Sequence, residues 1–176
     1  RRRLNGEAVH IRDVLNFELS FRPPYDWPAV SAFLGARAIA GVEMFEGTCY
    51  RRTARIASAG QDYFGWIEVG LSANKPALRV AVSASLALVL PPVLSRVKAL
   101  MDLSCNPAEV AAALGRLASR RPGLRVPGAF DGFEVAVRAI LGQQVAVAAA
   151  RTLAGRFAAA LGDPIETPFA ALTIVF

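Results

Sequence analysis

From Leu15 to Phe21 apolar residues alternate one for one with Asn16, Glu18 and Ser20. Side chains of an extended chain point to opposite faces in turn, so this period of two predicts a strand with one face buried. A sheet buried on one face needs partners beside it and a layer against it. The next eighty residues supply candidates for both. Val42–Ile56, with a turn at Glu46-Gly47, Gly65–Leu71 and Ala77–Ser83 read as further strands. Ser58-Ala59-Gly60 and Ser72-Ala73-Asn74 supply turn chemistry between them. Pro23-Pro24 ends the first strand, because proline cannot donate to a ladder.

Two helices are expected within this sheet region. Asp26 can cap the first, with Pro28 tolerated in its opening turn. Trp27, Val30, Phe33, Leu34 and Arg37 recur at helical spacing, and Gly41 closes the element. The second runs from about Pro91 to Leu103 with Val93, Leu94, Val97 and Leu100 on one stripe. Strand, helix, strands, helix describes an α+β domain over residues 14–104 with an antiparallel sheet. Residues 1–13 are polar and aperiodic and read as a tail or linker.

The pattern changes after Ser104. Asn106-Pro107-Ala108-Glu109 and Asp131-Gly132-Phe133-Glu134 are helix starts of the capping-box kind. The first opens a helix to about Ala118. The second opens a helix carrying Phe133, Val137, Ile140 and Leu141. Gly142-Gln143-Gln144 interrupts it, and another helix follows from about Val145 to Leu161. Between the two starts lies a basic connection punctuated by proline and glycine, Ser119–Gly128. Residues 105–176 therefore read as the beginning of a helical domain.

The residues exclude several kinds of chemistry. His10 is the only histidine, so no Ser-His-Asp set can form. Cys49 and Cys105 are far apart and outside any CxxC, so no metal site and no cofactor is expected. Two unpaired thiols suit a reducing cytoplasm. Residues 1–20 lack the apolar core of a secretory signal, and the run Leu86–Leu94 is too short to span a bilayer. The net charge of +6 favours an anionic partner, although Arg1, Arg2 and Arg3 supply half of it. Asp26, Glu109, Asp131 and Glu134 are assigned to helix starts. On the residues alone the activity stays open.

Three stretches, in order, resemble AlkA-type 3-methyladenine DNA glycosylases. The first is Arg22-Pro23-Pro24-Tyr25-Asp26-Trp27 with Phe33-Leu34-Gly35-Ala36-Arg37-Ala38. The second is Leu103-Ser104-Cys105-Asn106-Pro107 running on through Leu114-Gly115-Arg116-Leu117 to the segment Arg121–Gly128. The third is Asp131-Gly132-Phe133-Glu134 with the segment Val137–Val145. The likeness spans roughly residues 21 to 169.

The resemblance implies a small TATA-binding-protein-like α+β domain followed by an incomplete all-α helix-hairpin-helix glycosylase domain. It implies hydrolysis of the N-glycosidic bond of alkylated purines in double-stranded DNA, after the damaged base is flipped out. It makes Gln144 the residue that wedges into the duplex, where a long side chain can plug a base-sized hole. Gln143 and Phe33 match positions lining the lesion pocket, though Phe33 also sits on a core stripe with Val30 and Leu34. Gly142 would let the DNA backbone approach, or simply turn the chain. The family's hairpin and catalytic Asp find no match among these residues and are expected beyond Phe176. Asp163 and Glu166 do not replace them, and the chain alone is expected to be an inactive monomer. Ala146 stands where relatives carry Ser or Thr, and the leading arginines match no part of the family. The rival expectation is a non-catalytic DNA-binding or damage-sensing module, with an Ada-type domain fused upstream.

Overall fold

The computed structural model describes residues 14–176. The expected tail, with His10, lies outside the described residues. Among them, five strands form one antiparallel sheet in the order β1-β5-β4-β3-β2. They are β1 (Val14–Ser20), β2 (Glu43–Glu46), β3 (Cys49–Ser58), β4 (Gln61–Leu71) and β5 (Ala77–Ser83). The first strand pairs with the last, Phe17 opposite Val80, and the other three are joined by short hairpins.

One face of the sheet presents Leu19, Tyr50, Ala54, Ile56, Ile67, Val69, Leu78, Val80 and Val82. Against it pack α1 (Trp27–Gly35) through Trp27, Val30 and Leu34, and α2 (Leu90–Leu100) through Val93, Val97 and Leu100. Burying such side chains stabilises the layer by roughly 1.5–3 kcal/mol each. The cap of α1 is as expected: Asp26 Oδ1 accepts from the Ala29 amide at 3.0 Å. That helix ends at Gly35, before Gly41. A 3-10 turn over Ala84–Val89 precedes α2, with Leu86 and Val89 buried. The expected helix to Leu103 stops three residues early, where Asp102 takes a left-handed backbone (φ +50°).

The connection 119–128 is more than a linker. Arg125 is buried and donates to the carbonyls of Pro24 (3.0 Å), Cys105 (3.0 Å), Asp102 (3.3 Å) and Arg22. Its guanidinium lies 4.8 Å from the centre of the Tyr25 ring. Gly123 sits at φ +79°, and a Cβ there would come within 2.6 Å of the Pro24 backbone. Only glycine combines that dihedral with that approach.

Four helices follow: α3 (Pro107–Leu114), α4 (Arg116–Ser119), α5 (Gly132–Leu141) and α6 (Val147–Leu161). The single helix expected to Ala118 is broken at Gly115, whose φ is +52°. The two capping boxes are half formed. Asn106 accepts from Ala108 N, and Asp131 from Phe133 N and Glu134 N. Neither glutamate completes its box. Glu109 holds the Asn106 side chain, and Glu134 turns inward. The expected apolar stripe of α5 is split, with Val137 and Leu141 half-buried. Phe133 is 62% and Ile140 67% exposed, while Glu134 is buried.

The C-terminal stretch returns to the sheet. Short strands β6 (Asp163–Pro164) and β7 (Ile174–Val175) pair with each other. Leu172 is fully buried and bridges to Gly41, and Thr53 Oγ1 donates to the Ile174 carbonyl at 2.7 Å. Phe169 meets Trp66 edge to face at 5.0 Å on the sheet face opposite α1 and α2. A second small core joins Ile39 and Val42 to Ala154 and Ala158 of α6, with Leu141, Ile174 and Phe176 against it.

Candidate nucleic-acid interface

The β2–β3 hairpin sets Glu43 directly opposite Arg52. Both side chains lie on the covered face, where an unpaired charge would be prohibitive. Helix α5 supplies the missing partners. Glu134 and Arg138, four residues apart, share one side of that helix. Arg52 Nη2 meets Glu134 Oε2 at 2.5 Å, and its Nη1 lies 3.6 Å from Glu43 Oε1. Arg138 donates to Glu134 Oε1 from Nε (2.9 Å) and Nη2 (2.7 Å), and to Glu43. Its remaining Nη1 reaches the Arg37 carbonyl at 2.7 Å. Glu43 also accepts from the Tyr50 hydroxyl (2.5 Å) and the Ile39 amide (3.0 Å).

Two cations and two anions thus neutralise one another in a largely dry site. Burial opposes the charge on Glu134, but the guanidiniums of Arg52 and Arg138 outweigh it and hold its carboxyl below the ordinary range. Burial likewise opposes the charges on Arg52 and Arg138, and the facing carboxylates reverse that, so both arginines stay charged. Tyr50, fully buried beside Glu43, is pushed far above an ordinary phenol, by burial first and by the carboxylate second.

Two adjoining cavities flank this network and share Arg37 and Arg138. One, about 190 Å³, is lined by Phe33, Arg37, Phe130, Glu134 and Arg138 among others. The other, about 200 Å³, is lined by Arg37, Arg138, Gly142, Val147 and Arg151 among others. Phe33 is 41% exposed, so it forms a cavity wall and not part of the core. The Arg37 guanidinium covers its ring at 3.8 Å. Gly142 follows α5 with an ordinary φ of −86°, and a Cβ there would press on the Arg138 carbonyl at 2.9 Å. The limit on a side chain at Gly142 is that close approach and not a special dihedral.

At this turn the left-handed backbone belongs to Gln144, at φ +59°, a conformation shared among the described non-glycine residues only by Ala59 and Asp102. A non-glycine residue pays roughly 1–2 kcal/mol for that conformation. Gln143 and Gln144 are both exposed on the turn between α5 and α6. Neither lines the two cavities, so Gln143 stands apart from Phe33. Helix α6 starts at Val147, and the methyl of Ala146 before it gives no side-chain cap.

Sequence reasoning missed the ion network by assigning Glu134 to a helix cap. Two signals were available. Pairing outward from the turn at Gly47 places Glu43 opposite Arg52, and Glu134 and Arg138 have salt-bridge spacing on a helix. Among the described residues no group of three or more His, Cys, Asp or Glu is placed to hold a metal ion. No helix there is long and apolar enough to cross a membrane.

Comparison with known proteins agrees with this architecture. Residues 16–131 match the model of the AlkA N-terminal domain. The chain is 40% identical over 150 residues to DNA-3-methyladenine glycosylase 2 of Escherichia coli, covering 85% of this chain and 52% of that protein. It is 33% identical over 168 residues to a probable bifunctional transcriptional activator/DNA repair enzyme AlkA of Mycobacterium tuberculosis, covering 92% of this chain and 33% of that protein. A 3-methyladenine DNA glycosylase from Archaeoglobus fulgidus superposes with a TM-score of 0.66 at 20% identity, over 88% of this chain and 53% of that one, a likeness of fold. The chain spans about half the length of the first relative and a third of the second. With its antiparallel sheet and the match over residues 16–131, this chain belongs to the AlkA N-terminal domain family.

Proposed function

We propose that this chain contributes the sheet domain (14–104) and the leading helices (105–176) of a base-excision repair glycosylase acting on alkylated purines in double-stranded DNA. The observation that carries the reading is Gln144. A polar side chain is held outward by a left-handed backbone at an exposed helix-to-helix turn, beside cavities rimmed by Arg37, Arg138 and Arg151. Strained backbone that survives in a fold clusters at functional sites. Arg138 is neutralised within the ion network, and Arg37 and Arg151, with no carboxylate partner among the described residues, favour an approaching phosphate backbone.

In this reading Gln144 fills the space vacated by a flipped nucleotide. Phe33 belongs to the wall that receives the base, Gln143 reaches that base only from the exposed turn beside the cavities, and Gly142 keeps the turn close to α5. The bond between sugar and base breaks, the base leaves with the bonding electrons, and water adds to the sugar carbon, assisted by a carboxylate beside the oxocarbenium-like sugar. We assign that carboxylate to no residue of this chain, and we propose that the 176 residues alone act as a monomer in the cytoplasm without turnover. The similarity to a longer bifunctional protein favours a second reading, a DNA-recognition module within a larger regulator.

The test is equilibrium binding to a duplex holding one abasic-site analogue, against the intact duplex, across a salt series. A preference for the abasic duplex that Gln144→Ala abolishes supports the reading. Equal binding to both duplexes by the unaltered chain overturns it.

A further inference from the structure

We propose that Arg138 is a positioning residue that fixes the direction in which Gln144 projects, acting through the buried ion network that ties α5 to the sheet. The inference rests on reading Gln144 as the wedge. Helix α5 is the arm that carries the turn, so whatever orients α5 orients Gln144. Apolar burial does not do this on its own, since Phe133 and Ile140 face solvent. Leu141 packs against the second core and Val137 is half-buried, and beside them the inward side of α5 carries Glu134 and, one turn on, Arg138, the polar contacts that reach β2 and the end of α1.

Arg138 is the member nearest the turn. Its carbonyl accepts from Gly142 N at 2.9 Å, so its backbone closes the helix where the turn begins. Its guanidinium meanwhile spans three elements: Glu134 on its own helix, Glu43 on β2, and the Arg37 carbonyl just past α1. One planar fork thus fixes the last turn of α5 against both layers of the neighbouring domain. A lysine would keep the charge, but a single ammonium cannot reproduce the bidentate geometry and the reach to Arg37 together. Arg138 also lines both cavities, which places the fork between the turn and the Phe33 wall.

The experiment is a double-mutant cycle on the 176-residue chain with Arg138→Lys, Gln144→Ala and the pair. The readout is the ratio of affinities for an abasic-analogue duplex and the intact duplex. If Arg138 acts through Gln144, each single change lowers the ratio and the pair lowers it no further than Gln144→Ala alone. The departure from multiplicative behaviour should then be about threefold or more. A merely structural arginine lowers both affinities together, or multiplies its effect equally in both backgrounds, and that overturns the proposal. If Gln144→Ala leaves the ratio unchanged, the wedge reading falls and this inference falls with it. Should Arg138→Lys fail to fold, Glu134→Gln, which keeps the shape and one of the two acceptor oxygens but drops the charge holding Arg138, enters the same cycle with the same outcomes.

Discussion

Replacing Glu134 by alanine should be among the most destabilising single changes in this chain. The carboxylate is 4% exposed, and each of its oxygens serves a different guanidinium. Without it Arg52, 3% exposed, retains Glu43 at 3.6 Å, the Thr53 carbonyl at 3.0 Å and the face of the Phe130 ring at 4.2 Å, and one carboxylate in place of two. Arg138 loses two of its hydrogen bonds. Breaking a buried ion pair from one side costs about 3–5 kcal/mol, because the remaining charge stays desolvated. For a chain of this size each kcal/mol lowers Tm by about 2–4 °C, so a fall of roughly 6–20 °C is expected. Thermal and urea melts followed by circular dichroism measure it. Glu109→Ala provides the contrast: an exposed carboxylate at an equivalent helix start should change stability by no more than about 0.5 kcal/mol. A loss below about 1 kcal/mol for Glu134→Ala would refute the claim that this network holds α5 to the sheet.

Other expectations follow from the same geometry. The carboxyl of Glu134 is depressed below its ordinary value of 4.5, so its stabilising contribution is complete above that pH and is lost as pH falls through the lower folded-state value. The gap in stability between the unaltered chain and Glu134→Gln should therefore narrow in melts below about pH 4.5 and stay constant from there to neutrality. Gln144→Gly should relieve about 1 kcal/mol of left-handed strain and raise Tm by about 2–4 °C while weakening the preference for abasic DNA. A lowered Tm there would count against the strain. Gly123→Ala, which combines φ +79° with a 2.6 Å approach to Pro24, should cost at least about 2 kcal/mol in a denaturant melt.

The sheet was largely legible because period-two alternation and turn chemistry are local. Val14–Ser20 lies one residue before the expected Leu15–Phe21, Ala77–Ser83 falls where the pattern puts it, and Asp26, Asn106 and Asp131 cap as expected. What stayed hidden depends on contacts between distant residues. Nothing local to Glu134 distinguishes a capping glutamate from one paired with Arg52, 82 residues earlier in the chain. The burial of Arg125 depends on carbonyls of Arg22 and Pro24 about a hundred residues away. The return of residues 169–175 to the sheet depends on Thr53, Trp66 and Gly41. At the candidate site the Gly-Gln-Gln break was readable, but it pointed to glycine as the special conformer, whereas Gln144 carries the positive φ.

Cross-linking tests most directly whether Gln144 enters the duplex. With Cys49 and Cys105 changed to serine, Gln144→Cys is mixed with a duplex bearing a thiol-tethered base beside an abasic analogue. Leu88→Cys, on a surface residue 82% exposed, serves as the reference. A disulfide that forms at position 144, and only with the abasic duplex, is the predicted result. Equal trapping at positions 144 and 88, or trapping at 144 that ignores the abasic site, would contradict the account.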